Sequence, residues 1–276
     1  MKNILNKTLA ILAAGMLLGA CEKNELPELT EPLDTTVDAK MKFFFHSQDA
    51  PKALFTLSGI RVTAAAPTAG GVVQGKAYGS IYPNNNYAEV PIGTHTLEAI
   101  DPADSTSEGR PRVLTSIQVS LEAGKSYSAY LVGSTAMSNL ETFYIEDKLP
   151  PEDHTSIWWR FVHTMVGTPW SGVDVYAIRS AVAATETTPE QPVEVYSLGT
   201  NIPYKGHGEY VRLNPGTYTW KIFPTGTVTP ETAKTATPYI SQSFAIASLG
   251  RVYTHQIRGT YQGATLTSKI DYWRDR

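Results

Sequence analysis

The sequence predicts an all-β chain built as two β-sandwiches in series, and three observations carry that prediction. Apolar residues alternate with polar ones at a period of two. Ile117, Val119 and Leu121 alternate with Ser116, Gln118 and Ser120; after a turn at Glu122-Ala123-Gly124, Tyr127, Ala129 and Leu131 alternate with Ser126, Ser128 and Tyr130. Beyond the first twenty residues no segment sustains the i, i+3, i+4, i+7 apolar spacing of an amphipathic helix. Three landmarks also recur in the same order. Phe44-Phe45-His46-Ser47 returns as Phe161-Val162-His163-Thr164, and Val90-Pro91-Ile92-Gly93-Thr94 as Leu213-Asn214-Pro215-Gly216-Thr217. Gly124-Lys125-Ser126-Tyr127-Ser128 returns as Gly250-Arg251-Val252-Tyr253-Thr254. Each repeat spans about 105 residues, the size of one sandwich.

The elements follow in chain order. Residues 1–20 read as an export signal: Lys2 and Lys7 supply a positive start, Leu9 to Leu18 an uncharged apolar run, Gly19 and Ala20 small residues at the end. The apolar run is about half of the roughly 20 residues that a membrane-spanning helix needs. Cys21 stands directly after Leu18-Gly19-Ala20. This resembles the bacterial lipoprotein signal, in which the cysteine carries palmitate-type acyl chains and becomes the mature N-terminus. Residues 21–39 read as an acidic tether, with Glu22, Glu25, Glu28, Glu31, Asp34 and Asp38 against Lys23, broken by Pro27 and Pro32. The first sandwich is expected over 40–145. Residues 146–154 read as a stiff, solvated linker centred on Pro150-Pro151. The second sandwich is expected over 155–261, with Tyr218, Trp220 and Ile222 on one face of a strand. Residues 262–276 form a tail or an extra strand through Leu266, Ile270, Tyr272 and Trp273.

Composition excludes several functions. A single cysteine in 276 residues makes no internal disulfide, zinc ribbon or redox pair. A net charge of −3 lacks the basic field that nucleic acid selects, so no nucleic-acid partner is expected. Neither a Gly-x-Ser-x-Gly elbow nor a His-Glu-x-x-His helix is present. No catalytic, metal or cofactor residue is therefore assigned.

His46 and His163 occupy matching positions beside aromatics, which predicts a shared structural hydrogen bond. His95, matched by Tyr218, and His255, alternating with Tyr253 and Ile257, read as packing positions, and His207 and His154 as exposed. Asp101, Asp104 and Glu108 lie in one loop without the spacing of an EF-hand, so a solvated turn is expected there. All five tryptophans, Trp158, Trp159, Trp170, Trp220 and Trp273, follow residue 157. Trp159 and Trp220 fall on apolar strand faces and read as core. Trp170, in Thr168-Pro169-Trp170-Ser171-Gly172, falls in a loop and is the candidate ligand-binding residue, since an exposed indole stacks on sugars and anchors proteins alike.

The run Phe43-Phe44-Phe45-His46-Ser47-Gln48-Asp49-Ala50-Pro51, the Val90-Pro91-Ile92-Gly93 turn and the Ala123-Gly124-Lys125-Ser126-Tyr127 hairpin together resemble domain-of-unknown-function family 4397. The second repeat is a divergent relative, with Gly167-Thr168-Pro169 in place of Asp-Ala-Pro. The resemblance implies two tandem immunoglobulin- or transthyretin-like sandwiches outside the cytoplasm, and it brings no catalytic residues. The acidic residues after Cys21 are similar to the surface-export signal of Bacteroidetes lipoproteins. These readings lead to a non-enzymatic lipoprotein, anchored by lipid in the outer membrane and facing outward, that binds or displays a glycan or an envelope protein. The alternative is a structural subunit of a fimbria-like assembly using the tail as a donated strand, and the third reading is a hydrolase.

Overall fold

Some strands of this chain are apolar on both faces, and that is what places them at the centre of the structure. The computed structural model describes residues 38–64, 68–69, 71, 73–105, 109–187, 189–262, 265–266 and 269–276. The export signal, Cys21, nearly all of the tether and Glu108 lie outside the described residues.

The first half contains β1 (Ala39–Phe45), β2 (Leu54–Leu57), β3 (Ile60–Arg61), β4 (Ile81–Tyr82), β5 (Ala88–Val90), β6 (Gly93–Ser105), β7 (Pro111–Leu121), β8 (Ser126–Val132) and β9 (Glu141–Glu146). The second contains β10 (Ile157–Val166), β11 (Val173–Arg179), β12 (Glu194–Ile202), β13 (Val211–Leu213), β14 (Gly216–Pro224), the single-turn helix α1 (Pro230–Ala233), β15 (Ile240–Ile246), β16 (Arg251–Gln262), β17 (Thr265–Leu266) and β18 (Lys269–Arg274). The all-β expectation holds, and the strand orders of the two halves match. The order β5-β1-β8-β9 is answered by β13-β10-β16-β18, and β3-β2-β6-β7 by β12-β11-β14-β15. In both halves the opening strand pairs in parallel with a late one, β1 with β8 and β10 with β16, among otherwise antiparallel neighbours.

Alternation along each strand fills the space between its half's two sheets. Met41, Phe43 and Phe45 of β1 meet Phe55, Leu97, Ala99, Val119 and Tyr127 in the first core. Trp159 and Phe161 of β10 meet Val175, Tyr218, Trp220, Ile222 and Ile257 in the second. Tyr218 and Trp220 are buried, as their strand pattern predicts.

The other faces of β1 and β10 are buried as well, against each other. Phe44, Ile81, Tyr130 and Val132 of the first half pack with Val162 of the second, forming a seam between the sandwiches. Buried charges cross this seam in a reciprocal pattern. Lys42 donates to Asp275 Oδ1 at 3.1 Å and to the Arg274 carbonyl at 2.7 Å. Arg160 pairs with Asp147, and all four side chains of the two pairs are essentially inaccessible. Each carboxylate is held by a phenol and a hydroxyl of its own half. Asp147 accepts from Tyr87 at 2.8 Å and Ser128 at 2.6 Å, and Asp275 accepts from Tyr210 at 3.0 Å and Thr254 at 2.5 Å. Lys42 also lies 4.6 Å from the centre of the Tyr87 ring and Arg160 4.9 Å from that of Tyr210. Each acid thus takes its cation from the opposite half, and the halves form one compact unit.

Two sequence readings change here, and one left open between a tail and an extra strand is decided. The correspondence between opening strands is shifted by one residue. Lys40 faces Ser126 across β1 and β8, and Trp158 faces Val252 across β10 and β16, so His46 matches Thr164 and His163 matches Phe45. A one-residue slip exchanges the two faces of a strand, and alignment on the identical Phe and His letters hid it. His46 and Thr164 in fact bond to each other across the seam at 2.8 Å, while the His163 ring has no hydrogen-bond partner among the described residues, so the two histidines share no common bond. The linker is only partly solvated: Lys148, Pro151, Glu152 and His154 are exposed, but Asp147 and Pro150 are buried. The tail, finally, is the fourth strand of its sheet. β18 pairs antiparallel with β16 as β9 pairs with β8.

Candidate functional site

One difference between the two sandwiches shapes a surface: the open edge where β15 approaches β18, equivalent to the edge between β7 and β9. In the first half tyrosines close that edge. The Tyr144 phenol oxygen accepts from the Ser120 backbone N–H at 3.3 Å and that of Tyr127 from the Glu122 N–H at 3.1 Å, tying β9 and β8 to β7.

In the second half the equivalent tyrosines, Tyr272 and Tyr253, make neither bond among the described residues and instead pack on larger rings. Trp159 stands where Met41 stands in the first half, and Phe244 where Val119 does. Trp159, only 1% exposed, forms the floor, with Tyr253 stacked on it at 4.6 Å between centroids. Tyr272 stands edge-on to Phe244 at 4.7 Å and lies 5.3 Å from Trp159. The result is a cleft of about 240 Å³, lined by these four rings and by Ala245 to Ser248 at the end of the edge strand β15. Tyr272 is 42% exposed and Tyr253 and Phe244 are half-buried, so ring faces and edges are available to a ligand while the floor is fixed. Burial raises the Tyr253 hydroxyl above its ordinary pKa, despite the opposing charges of Arg251 and Arg274, so it stays a neutral donor at physiological pH.

The residues singled out from sequence are not gathered in this cleft. Trp170 is half-buried rather than freely exposed and packs edge-on against Tyr239 at 4.7 Å and Tyr261 at 5.4 Å. Its indole extends the second core, which also limits the face it offers to solvent. His255 is fully buried against Trp220, with ring centroids 4.9 Å apart. Burial lowers its pKa to about 3 and that of His163 to about 4, so both are neutral packing groups at physiological pH. His46 is also held well below the usual histidine range, first by burial and then by the Arg258 charge. His95 is half-buried, as its strand position predicts, beside Ser58 Oγ and the Ile92 carbonyl. The expected solvated turn is not found at Asp101 and Asp104, which lie in β6: Asp104 pairs with Arg112 at 2.6 Å, and Asp101, buried, lies 3.5 Å from the same guanidinium. Among the described residues no three histidine, aspartate or glutamate side chains converge as a metal site would require. The sequence reading missed Tyr272 and Phe244 as site residues. The signal available was the concentration of tryptophan in the second repeat.

The family model for a domain of unknown function, DUF4397, matches residues 39–176, half of the chain. The chain belongs to the DUF4397 family. The match opens at β1 and ends within β11, so this single DUF4397 match runs through the seam and does not divide into two copies. No curated protein matches the chain. Among solved structures, a candidate cell adhesion protein from Bacteroides uniformis is 15% identical. That pairing covers 89% of this chain and 100% of the other, at a TM-score of 0.26. One of the same description from Bacteroides ovatus is 12% identical, covering 86% and 97%, at 0.24. The Bacillus anthracis TIE protein is 14% identical at 0.22; 81% of this chain is covered, but the chain spans only 34% of that protein's length.

Proposed function

We propose that this DUF4397 protein is a cell-surface lipoprotein that binds an external partner without catalysing a reaction, using the cleft between β15 and β18. One observation carries this reading. Two sandwiches of matching strand order differ at equivalent edges, and the edge that is not sealed exposes tyrosines over a buried aromatic floor. Aromatic faces of this kind supply large contact area at low entropic cost, and a shallow cleft suits capture better than turnover. Glycans and envelope proteins both meet such a surface through ring stacking and hydroxyl hydrogen bonds. The role of Trp170 is then secondary: it braces the second core rather than leading the contact.

The lipid anchor at Cys21, the outer membrane and the outward orientation belong to the same proposal. They are supported by the export signal, the position of the lone cysteine and the acidic tether. The reading as a fimbria-like subunit loses the feature that motivated it, because β18 is already seated on its own sheet. The hydrolase reading finds no nucleophile with an adjacent base in the cleft.

The test is capture by cells and by purified protein. Wild type retains a glycan or envelope partner, and Tyr272→Ala loses it while melting at the same temperature. Capture unchanged in Tyr272→Ala contradicts the site. Cys21→Ala is expected to leave the membrane fraction, and a variant that stays there contradicts the anchor.

A further inference from the structure

The rim of the cleft carries positive charge without matching negative charge. Tyr253 faces Arg274 directly across the β16 and β18 ladder, so the two side chains stand on one face of the sheet. Arg251, two residues before Tyr253 on the same strand, projects from that face too. Both arginines lie near enough to act on the Tyr253 phenol. Among the described residues neither guanidinium has a carboxylate partner, and the polar contact Arg274 makes is with the neutral amide oxygen of Asn85, at 3.5 Å. The buried basic side chains nearby are all paired. Arg258 pairs with Asp271, Arg160 with Asp147 and Lys42 with Asp275. What sets Arg251 and Arg274 apart is their place: two half-exposed guanidinium groups on the face of the sheet that carries Tyr253 of the cleft.

The phenols add a second feature. Among the described residues, neither Tyr253 nor Tyr272 gives or accepts a hydrogen bond through its hydroxyl, whereas Tyr127 and Tyr144 both accept backbone N–H groups. The cleft thus presents aromatic faces, two uncommitted hydroxyls and two uncommitted guanidinium groups. Neutral sugars use only the first two. A ligand matching all three is a ring with apolar C–H faces, several hydroxyls and a carboxylate, since a guanidinium fork suits a carboxylate in particular.

Building on the proposed binding role of this cleft, we infer that its ligand is a carboxylated sugar, a uronic or sialic acid residue of a surface glycan, with its ring against Tyr253, Tyr272 and Phe244 and its carboxylate on Arg251 and Arg274. The occupant is chosen by charge complementarity, because the unpaired cations lie at the mouth of the cleft. Recognition is electrostatic in part, so affinity falls as salt rises.

The test uses the full mature chain on printed pairs of glycans, each ending in a uronic or sialic acid and printed again with that carboxyl methyl-esterified. The expected result is binding to acids and not to their esters. The Arg274→Gln and Arg251→Gln variants each weaken it roughly tenfold or more, the worth of one charge-assisted hydrogen bond, and Tyr272→Phe weakens it less. Unchanged melting temperatures show that the variants fold. Equal binding to acid and ester overturns the carboxylate while leaving the cleft as a glycan site. Binding that survives Tyr272→Ala overturns the cleft itself. Silence on every glycan, with envelope proteins still captured through Tyr272, overturns the sugar and leaves the binding role standing.

Discussion

The edges of the two sandwiches show how one strand order can serve two ends. Between β7 and β9, tyrosine hydroxyls reach across and take backbone N–H groups, so the edge is closed. Between β15 and β18, a tryptophan and a phenylalanine occupy the places of Met41 and Val119, and the equivalent tyrosines pack on them, Tyr253 half-buried and Tyr272 exposed. Greater bulk at these two positions accompanies the change from a sealed edge to a cleft. The pairs that lock the seam are unchanged in kind between the halves, with a cation, a carboxylate, a phenol and a hydroxyl on each side. Stability is shared between the halves, whereas exposed chemistry is concentrated in the second.

If the halves are locked as one body, the largest effect comes from the seam. Asp147→Ala is expected to lower stability by about 3–5 kcal/mol, because it strands the Arg160 charge in a buried site. The whole chain should lose it in one transition, measured by chemical denaturation. Two separated transitions would break the comparison, since the sandwiches would then be independent.

Acid probes the halves unequally. The second hides His163 and His255 without hydrogen bonds, at pKa values of about 4 and about 3. An unfolded histidine titrates near 6.5. The unfolded chain therefore binds more protons below that pH, and stability is complete above it and erodes as pH falls toward 4 and 3. His255→Leu should remove on the order of 3 kcal/mol of that acid-dependent loss by pH 4. A stability profile with the same slope in variant and wild type would contradict the buried, neutral state.

A smaller pair of variants addresses the edges themselves. Tyr144→Phe deletes a phenol that accepts a backbone bond and should cost about 1 kcal/mol. Tyr272→Phe deletes one that bonds to nothing in the protein and should cost almost nothing in stability. Equal costs would mean that both edges are sealed.

Much of this architecture is legible in the sequence, because period-two patterning fixes which residues face a sheet neighbour. The hairpin of β7 and β8, the burial of Trp159 and Trp220 and the seating of the tail all follow from it. What it leaves out is the second buried face of β1 and β10. The run Phe43-Phe44-Phe45 already carries that information, since apolar residues without alternation mean burial on both sides. The seam itself rests on Lys42 with Asp275, 233 residues apart, and on Arg160 with Asp147, 13 apart, which read as ordinary solvated charges until the halves meet. The correspondence of His46 with His163 fails for a related reason: identical letters outweighed the face each residue occupies. The cleft is less legible still. Its key contrast is between Trp159 and Met41, and it emerges only when the register is right. Trp170 drew attention through its loop composition, which does not reveal that Tyr239 and Tyr261 close around it.

The most direct test of the central claim is a backbone amide NMR titration of the mature chain with a glucuronic-acid-terminated oligosaccharide. The account predicts shifts concentrated at Phe244 to Ser248, Arg251, Tyr253, Tyr272 and Arg274, with the equivalent residues Val119 to Glu122, Tyr127 and Tyr144 silent. Shifts appearing equally at both edges, or only at the sealed one, would contradict it.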